Sequence, residues 1–384
     1  MLFGGMFRLS MTTLHNIIET VEMRGFSSPE HFVLDEGVAA DPQMVVENRN
    51  WSLYTFDHAK ERALFVELPE GTDLSQAAFA YLDQHQLAQR VLSVPFSELD
   101  SLAAQIPEAK TNVFIFSIGR CGSTLVSNIL NQLDEVYCLS EPDAYSRLLK
   151  ENFDARLRLN YTPEQVKNLI RVATRLLFRP PDLATTYAVK FRSQSLFQAD
   201  LFQAAFPDAK FIFLYRDAIS WSNSVFQMTQ KYGQSTVLTG DVRTQIWSIL
   251  TASSDAAYLK PYVDVTAEKI PSEQTILPAW PFSMEEYSQQ LARGVPYYAL
   301  RYNELNSDRA ASLTALLKHC GLPTAKVATA LEAFERDSQA GTHIAKAIEV
   351  ERLNETQKST LRDILGRHPK FADPDTILPD IYSS

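Results

Sequence analysis

The stretch Val113-Phe114-Ile115-Phe116-Ser117-Ile118-Gly119-Arg120-Cys121-Gly122-Ser123-Thr124 decides the fold. Its first four residues are an uninterrupted apolar run, as a parallel strand covered on both faces requires. Leu125, Val126, Ile129, Leu130 and Leu133 then recur at helical spacing. Between strand and helix, Gly119 and Gly122 permit a tight turn and close backbone approach, and a helix N-terminus beyond them presents free N–H groups to an anion. This reads as a phosphate cradle. A glycine pair before a Ser or Thr helix cap is also an ordinary turn, so the loop alone leaves both readings open.

Working outward, Val136 to Leu139, Tyr187 to Phe191, Phe211 to Tyr215 and Tyr297 to Tyr302 are further strand candidates. They alternate with helical patterns such as Leu196 to Phe206 and Ser312 to His319. That order predicts an α/β fold, a P-loop-like parallel sheet flanked by helices, with right-handed crossovers and ligands at the carboxyl ends of the strands. Residues 107–384 are expected to form this domain. Residues 1–106 read as a small N-terminal α+β accessory region: a helical piece around Thr13 to Met23, an antiparallel meander through MVVE, WSLYTF and ALFVEL, and a helix from Leu74 to Gln89. The polar segment Ala103 to Thr111 is the expected boundary.

Composition narrows the function. At 384 residues with 45% hydrophobic and 21% charged side chains, the chain can bury a full core. A net charge of −10 argues against a nucleic-acid partner, although a local basic cluster can still grip a small anion. Three scattered cysteines, Cys121, Cys138 and Cys320, suit a reducing compartment better than a disulfide framework or metal cluster. No signal-peptide core and no apolar run of spanning length is found, so a cytoplasmic protein without an integral membrane segment is expected.

The loop departs from the usual nucleoside-triphosphate pattern, which places a lysine directly before Ser123. Gly122 stands there, and the cation lies earlier, at Arg120. Gly119, Arg120, Cys121, Gly122, Ser123 and Thr124 instead resemble the 5′-phosphosulfate loop of the sulfotransferases that use 3′-phosphoadenosine 5′-phosphosulfate (PAPS). That family carries a second motif, a strand ending in Arg-Asp or Arg-Asn with a serine eight residues after the arginine. Phe211-Ile212-Phe213-Leu214-Tyr215-Arg216-Asp217 ends in this way, and Ser224 lies eight residues beyond Arg216. Arg216 and Ser224 can converge on one anion, the 3′-phosphate in the family's reading. A capping Asp217 beside a surface arginine is the bland alternative. Tyr298 to Leu305 is similar to the family's late strand ending in Tyr-Glu-Asp-Leu, with Asn303 departing from it, and makes Tyr302 a candidate adenine contact, a buried strand-end aromatic being the alternative. The resemblance spans roughly residues 112–323.

The resemblance also implies a base for the acceptor hydroxyl. Cytosolic small-molecule members place a histidine two residues after a strand lysine; here Ala188-Val189-Lys190-Phe191-Arg192 has Arg192 at that position, and no histidine occurs between His85 and His319. The tyrosylprotein and some carbohydrate members use a glutamate instead. Glu141, 21 residues after Arg120 as in the tyrosylprotein enzymes, is therefore the expected base. A salt-bridged or capping carboxylate before Pro142 is the alternative. Lys190 matches the lysine that steadies the bridging oxygen, and a charge inside an apolar strand needs a partner. Arg120 would face the sulfuryl oxygens, while Arg192 and Asp143 line the acceptor side. The family's C-terminal clamp is not visible; Ser338, Gln339 and Gly341 could substitute through neutral hydrogen bonds, with a plain interhelical turn the favoured alternative.

The expected activity is sulfuryl transfer from PAPS as co-substrate, without a metal, to the hydroxyl of a small molecule or glycan. Two rivals are a P-loop kinase or NTPase, which needs Mg²⁺ on its triphosphate, and a catalytically silent nucleotide-binding module. Acceptor specificity is expected from Tyr232 to Thr239 and Lys260 to Pro281, with Tyr262, Trp280 and Phe282 equally readable as aromatic acceptor contacts or as core.

Overall fold

The computed structural model describes residues 11–378 except 24, 147, 149–160, 181–182, 232–236, 240–267, 272 and 339–348. These residues divide into two compact units, one within Met1–Ile115 and Thr124–Lys210, the other within Phe116–Ser123 and Phe211–Ser384.

The first unit opens with a correction. The expected helix over Thr13 to Met23 is a strand, β1 (Thr13–Thr20). Leu14, Ile17, Ile18 and Val21 do stand at helical spacing, but Thr13, Ile17, Ile18 and Thr20 are β-branched, which favours a pleated backbone. Pairing settles the matter, because β1 is hydrogen-bonded on both sides. It runs antiparallel to β2 (Phe32–Leu34) through Ile17 opposite Leu34, and to β6 (Arg90–Pro95) from Thr13 opposite Ser93 to Asn16 opposite Arg90. The short β3 (Val38–Ala39) also pairs with β1.

MVVE, expected as a strand, forms the one-turn helix α1 (Met44–Glu47). Asp41 Oδ1 accepts from the Gln43 N–H at 2.9 Å and Val45 N–H donates to Pro42 O at 3.1 Å, so the turn is set before the valines are reached. WSLYTF and ALFVEL do pair antiparallel, as β4 (Trp51–Asp57) and β5 (Arg62–Glu67). The helix expected over Leu74 to Gln89 is shorter, α2 (Ala80–Leu87), behind a 3₁₀ turn closed by Asp73 on the Ser75 N–H. Strand β6 and the helix α3 (Phe96–Ala103) were not foreseen. The antiparallel sheet has the order β2-β1-β6-β5-β4.

The strand read first from the sequence is β7 (Thr111–Ser117), followed by α4 (Ser123–Leu130) and β8 (Val136–Ser140). After α5 (Pro163–Leu177) comes β9 (Thr186–Lys190), which lies between β7 and β8 and parallel to both. Its register sets Lys190 level with Ile115 on one side and Ser140 on the other, one residue short of Glu141. Helices α2 and α5 pack on β4, which is why β4 is buried along its length rather than on alternate residues. Phe114 of β7 meets Phe191, Phe202 and Phe206 at centroid distances of 5.8, 5.3 and 5.5 Å, Phe202 coming from α6 (Ala199–Ala205). A fully buried ring of this kind stabilises by about 1.5 to 3 kcal/mol.

The second unit is built on β10 (Lys210–Tyr215), followed by α7 (Ala218–Lys231), the two-stranded ribbon of β11 (Val237–Thr239) and β12 (Lys269–Pro271), and α8 (Glu273–Ala292). Strand β13 (Tyr297–Arg301) runs parallel to β10, from Tyr297 opposite Phe211 to Arg301 opposite Tyr215. Tyr302, expected at the strand end, opens α9 (Tyr302–Ser307). The helices α10 (Arg309–His319), α11 (Val327–Leu331) and α12 (Glu355–Gly366) complete it. Phe213 stacks on Tyr287 at 4.3 Å in its core. No helix among the described residues is long and apolar enough to cross a membrane.

Candidate functional site

The candidate residues fall into two clusters. In the second unit, the loop after β7 turns through left-handed backbone at Gly119 (φ 71°), Arg120 (φ 50°) and Gly122 (φ 81°). Glycine reaches that region at no steric cost, whereas Arg120 adopts it against a penalty of order 1–3 kcal/mol, which the surroundings must hold in place. They do so with named bonds. Ile118 N–H donates to Leu214 O at 3.2 Å, and the Cys121 thiol to the same oxygen at 3.3 Å. Trp221 of α7 donates its indole N–H to Ile118 O at 3.2 Å and Gly119 O at 2.9 Å.

Gly122 is required for a second reason. A Cβ there would stand 2.5 and 2.6 Å from Tyr302 Cδ2 and Cε2, so the loop and the Tyr302 ring coexist only with glycine. Arg216, just beyond β10, holds its guanidinium carbon 4.7 Å from the centroid of the same ring. Its main-chain oxygen accepts from Trp280 Nε1 at 2.8 Å, while its buried Nε has no hydrogen-bond partner among the described residues. Arg120 Nε donates to Ser224 Oγ at 3.2 Å, so the two sequence motifs meet through their named residues. Ser123 and Thr124 are buried at the start of α4. Asp217 caps α7 on the Ser220 N–H at 2.8 Å, as its bland reading held. A groove of about 620 Å³ lies against Arg216, Arg301, Tyr302 and Asn303.

The first unit holds the other cluster. Glu141 follows β8 with φ 55°, and its N–H donates to Lys190 O at 2.6 Å. Lys190, 3% exposed, donates its ammonium to Glu141 Oε1 and sits 5.2 Å from the Phe79 ring centroid. The strand charge that needed a partner has one. Arg192 Nη2 donates to Asp143 Oδ2 at 2.8 Å, and Arg192 Nε lies 2.8 Å from Asp143 Oδ1 and 3.8 Å from Glu141 Oε2. The Nε contact is an ion pair rather than a hydrogen bond, because its alignment is poor. Burial pushes the Asp143 carboxyl up to about 6, with Arg192 pulling the other way.

Two of the three described non-glycine residues with left-handed backbone, Arg120 and Glu141, are thus candidates named from the sequence; the third is Glu61. Ser117, whose hydroxyl accepts from the Gly119 N–H at 3.2 Å, and Trp221 were missed, since nothing local marks either as a loop brace. Trp280, offered as an acceptor contact, is wholly buried core. Tyr262, Gln339, Gly341, residues 232–236 and most of 260–281 before α8 lie outside the described residues. The three cysteines are buried and form no disulfide. No group of metal-ligating side chains occurs among the described residues.

Residues 112–261 match the model of the sulfotransferase family. No curated protein matches the chain by sequence. Among solved structures, a sulfotransferase from Alicyclobacillus acidocaldarius is similar at 14% identity and a TM-score of 0.40, over 66% of this chain and 90% of that one. One from Mycobacterium avium is similar at 12% identity and a TM-score of 0.39, over 70% and 79%. A mouse sulfotransferase complexed with PAP is similar at 12% identity and a TM-score of 0.35, over 71% and 88%. None of these three reaches a TM-score of 0.5, and the family assignment rests on the sequence of residues 112–261.

Proposed function

Residues 112–261 belong to the sulfotransferase family, and from that premise we propose that the chain transfers a sulfuryl group from PAPS to the hydroxyl of a small-molecule or glycan acceptor. The observation that carries the donor assignment is Arg216, whose buried Nε has no described partner while its neighbours hold it against Tyr302. A guanidinium so placed fits a phosphate, and the 3′-phosphate distinguishes PAPS from other sulfuryl and phosphoryl donors. Ser224 adds a hydroxyl from α7, and Tyr302 a ring for the adenine. Gly119 to Thr124 would hold the 5′-phosphosulfate at the start of α4, where main-chain N–H groups have no intrahelical partner.

The reaction is an in-line displacement. The acceptor oxygen attacks sulfur, the bond from sulfur to the bridging oxygen breaks, and its electron pair leaves on the 5′-phosphate of PAP. Catalysis of this kind is mostly positioning and charge stabilisation, with one proton to remove. Glu141 takes that proton. Lys190, bonded to Glu141 Oε1 here, turns its ammonium to the bridging oxygen as charge develops there, which frees the carboxylate to act. Arg120 faces the sulfuryl oxygens. The cations that neutralise charge are then side chains, and no divalent metal is needed.

Calorimetry with PAP and with adenosine 5′-phosphate tests the donor. Tight binding of PAP, weakened roughly ten- to hundredfold when the 3′-phosphate is absent, is the expected result. Equal affinity for the two nucleotides overturns the assignment.

A further inference from the structure

The Arg192 guanidinium is held more closely than a charge alone requires. Its carbon lies 3.8 Å from the Tyr81 ring centroid and 4.9 Å from that of Phe26. Nη1 donates to Gly25 O at 3.2 Å and Nη2 to Asp143 Oδ2 at 2.8 Å. Asp143, with no exposed surface, accepts a second bond from the Ser27 N–H at 2.8 Å. Ser27 is fixed in turn, because its carbonyl accepts from Thr55 Oγ1 of β4 at 3.0 Å. Gly25, Phe26, Ser27, Thr55 and Tyr81 all precede the stretch that matches the family.

On its other side this assembly faces Glu141. Lys190 holds Oε1, and Arg192 Nε lies 3.8 Å from Oε2, so each carboxylate oxygen has a cation of its own. A carboxylate on left-handed backbone has no default direction set by a regular strand or helix, and external groups must aim it. A buried ion pair is weak evidence of stabilisation, since apolar residues of equal volume often serve as well. A planar group stacked between two rings, with one edge on a carboxylate and one nitrogen on a carbonyl, is oriented as well as charged, which a lysine in its place would not be.

We infer that the N-terminal antiparallel region is a working part of the catalytic site: Gly25 to Ser27 and Tyr81 clamp the Arg192–Asp143 pair, and the pair positions Glu141. Arg192 and Asp143 are positioning residues, and the inference rests on Glu141 being the base.

The test is a double-mutant cycle on transfer from labelled PAPS under single-turnover conditions, with water and a simple phenol as acceptors. Arg192→Lys and Tyr81→Leu are each measured alone and combined with Glu141→Gln. Alone, each is expected to slow transfer roughly tenfold with PAP affinity within about twofold of wild type. Combined with Glu141→Gln, neither is expected to slow it further, and Tyr81→Phe is expected to recover most of the loss seen in Tyr81→Leu. Both substitutions keep the buried charge balance, so the variants are expected to fold. Equal losses with and without Glu141→Gln, or a wild-type rate in Arg192→Lys, overturn the inference while the base assignment stands. A wild-type rate in Glu141→Gln removes the base assignment, and the inference with it.

Discussion

Arg120 Nε donates to Ser224 Oγ at 3.2 Å, a bond between residues 104 positions apart. It ties the loop after β7 to α7, the helix after β10. In the proposed complex Ser224 serves the 3′-phosphate and Arg120 the sulfuryl group, so this bond presets the spacing of two anionic ends of one donor. Ser224→Ala removes one neutral hydroxyl contact and is expected to weaken PAP binding by roughly 3- to 10-fold by calorimetry.

Arg216→Ala removes a charge-assisted contact and is expected to weaken PAP roughly ten- to hundredfold. Adenosine 5′-phosphate, which lacks the 3′-phosphate, is expected to lose far less. Parallel losses for both nucleotides would assign Arg216 to the ring of Tyr302 and not to an anion.

Glu141→Gln preserves shape and removes the proposed base. The expected result is a kcat lower by about 10² to 10⁴ with PAP affinity unchanged. The loss is expected to be larger for an alcohol acceptor than for a phenol, because the less acidic hydroxyl depends more on the base. Unchanged turnover would leave Glu141 as a strained, salt-bridged carboxylate only.

Gly122→Ala sets a methyl group 2.5 Å from Tyr302 Cδ2 on a backbone at φ 81°. Both effects are local, and each is expected to cost about 1–3 kcal/mol. The readout is the denaturant midpoint. Combining Gly122→Ala with Tyr302→Ala relieves the clash and leaves the backbone strain, so partial recovery of the midpoint is expected.

Asp143 gives the pH dependence a sign. Its folded-state value is pushed up to about 6, from 3.8 for an unperturbed carboxyl. Between these values the folded protein binds the proton and the unfolded chain does not, so this group's contribution to stability falls as pH rises through that window and is flat above it. The full effect is at most about 3 kcal/mol. Asp143→Asn abolishes this component, and the difference in denaturant midpoint between variant and wild type should vary between pH 4 and 6 and be constant from 7 to 8. A difference independent of pH throughout would show that Asp143 stays ionised.

The sequence by itself determined the strand β7, the loop with its two glycines, the helix beyond it, and the spacing of Arg216 and Ser224. These are local features: an apolar run, backbone permissions at Gly119 and Gly122, and the spacing between Arg216 and Ser224 need only the residues concerned. Only the tertiary structure decided β1, since Leu14, Ile17, Ile18 and Val21 satisfy a helix period equally well and it took the edges of β2 and β6 to supply the hydrogen bonds. It also decided what Glu141 and Arg192 touch. Lys190 reaches Glu141 from the adjacent strand, and Phe26, Ser27 and Tyr81 reach the Arg192–Asp143 pair from more than 60 residues away. Such contacts arise where distant segments pack to bury common apolar surface, and no periodicity or spacing along the chain records which segments those will be.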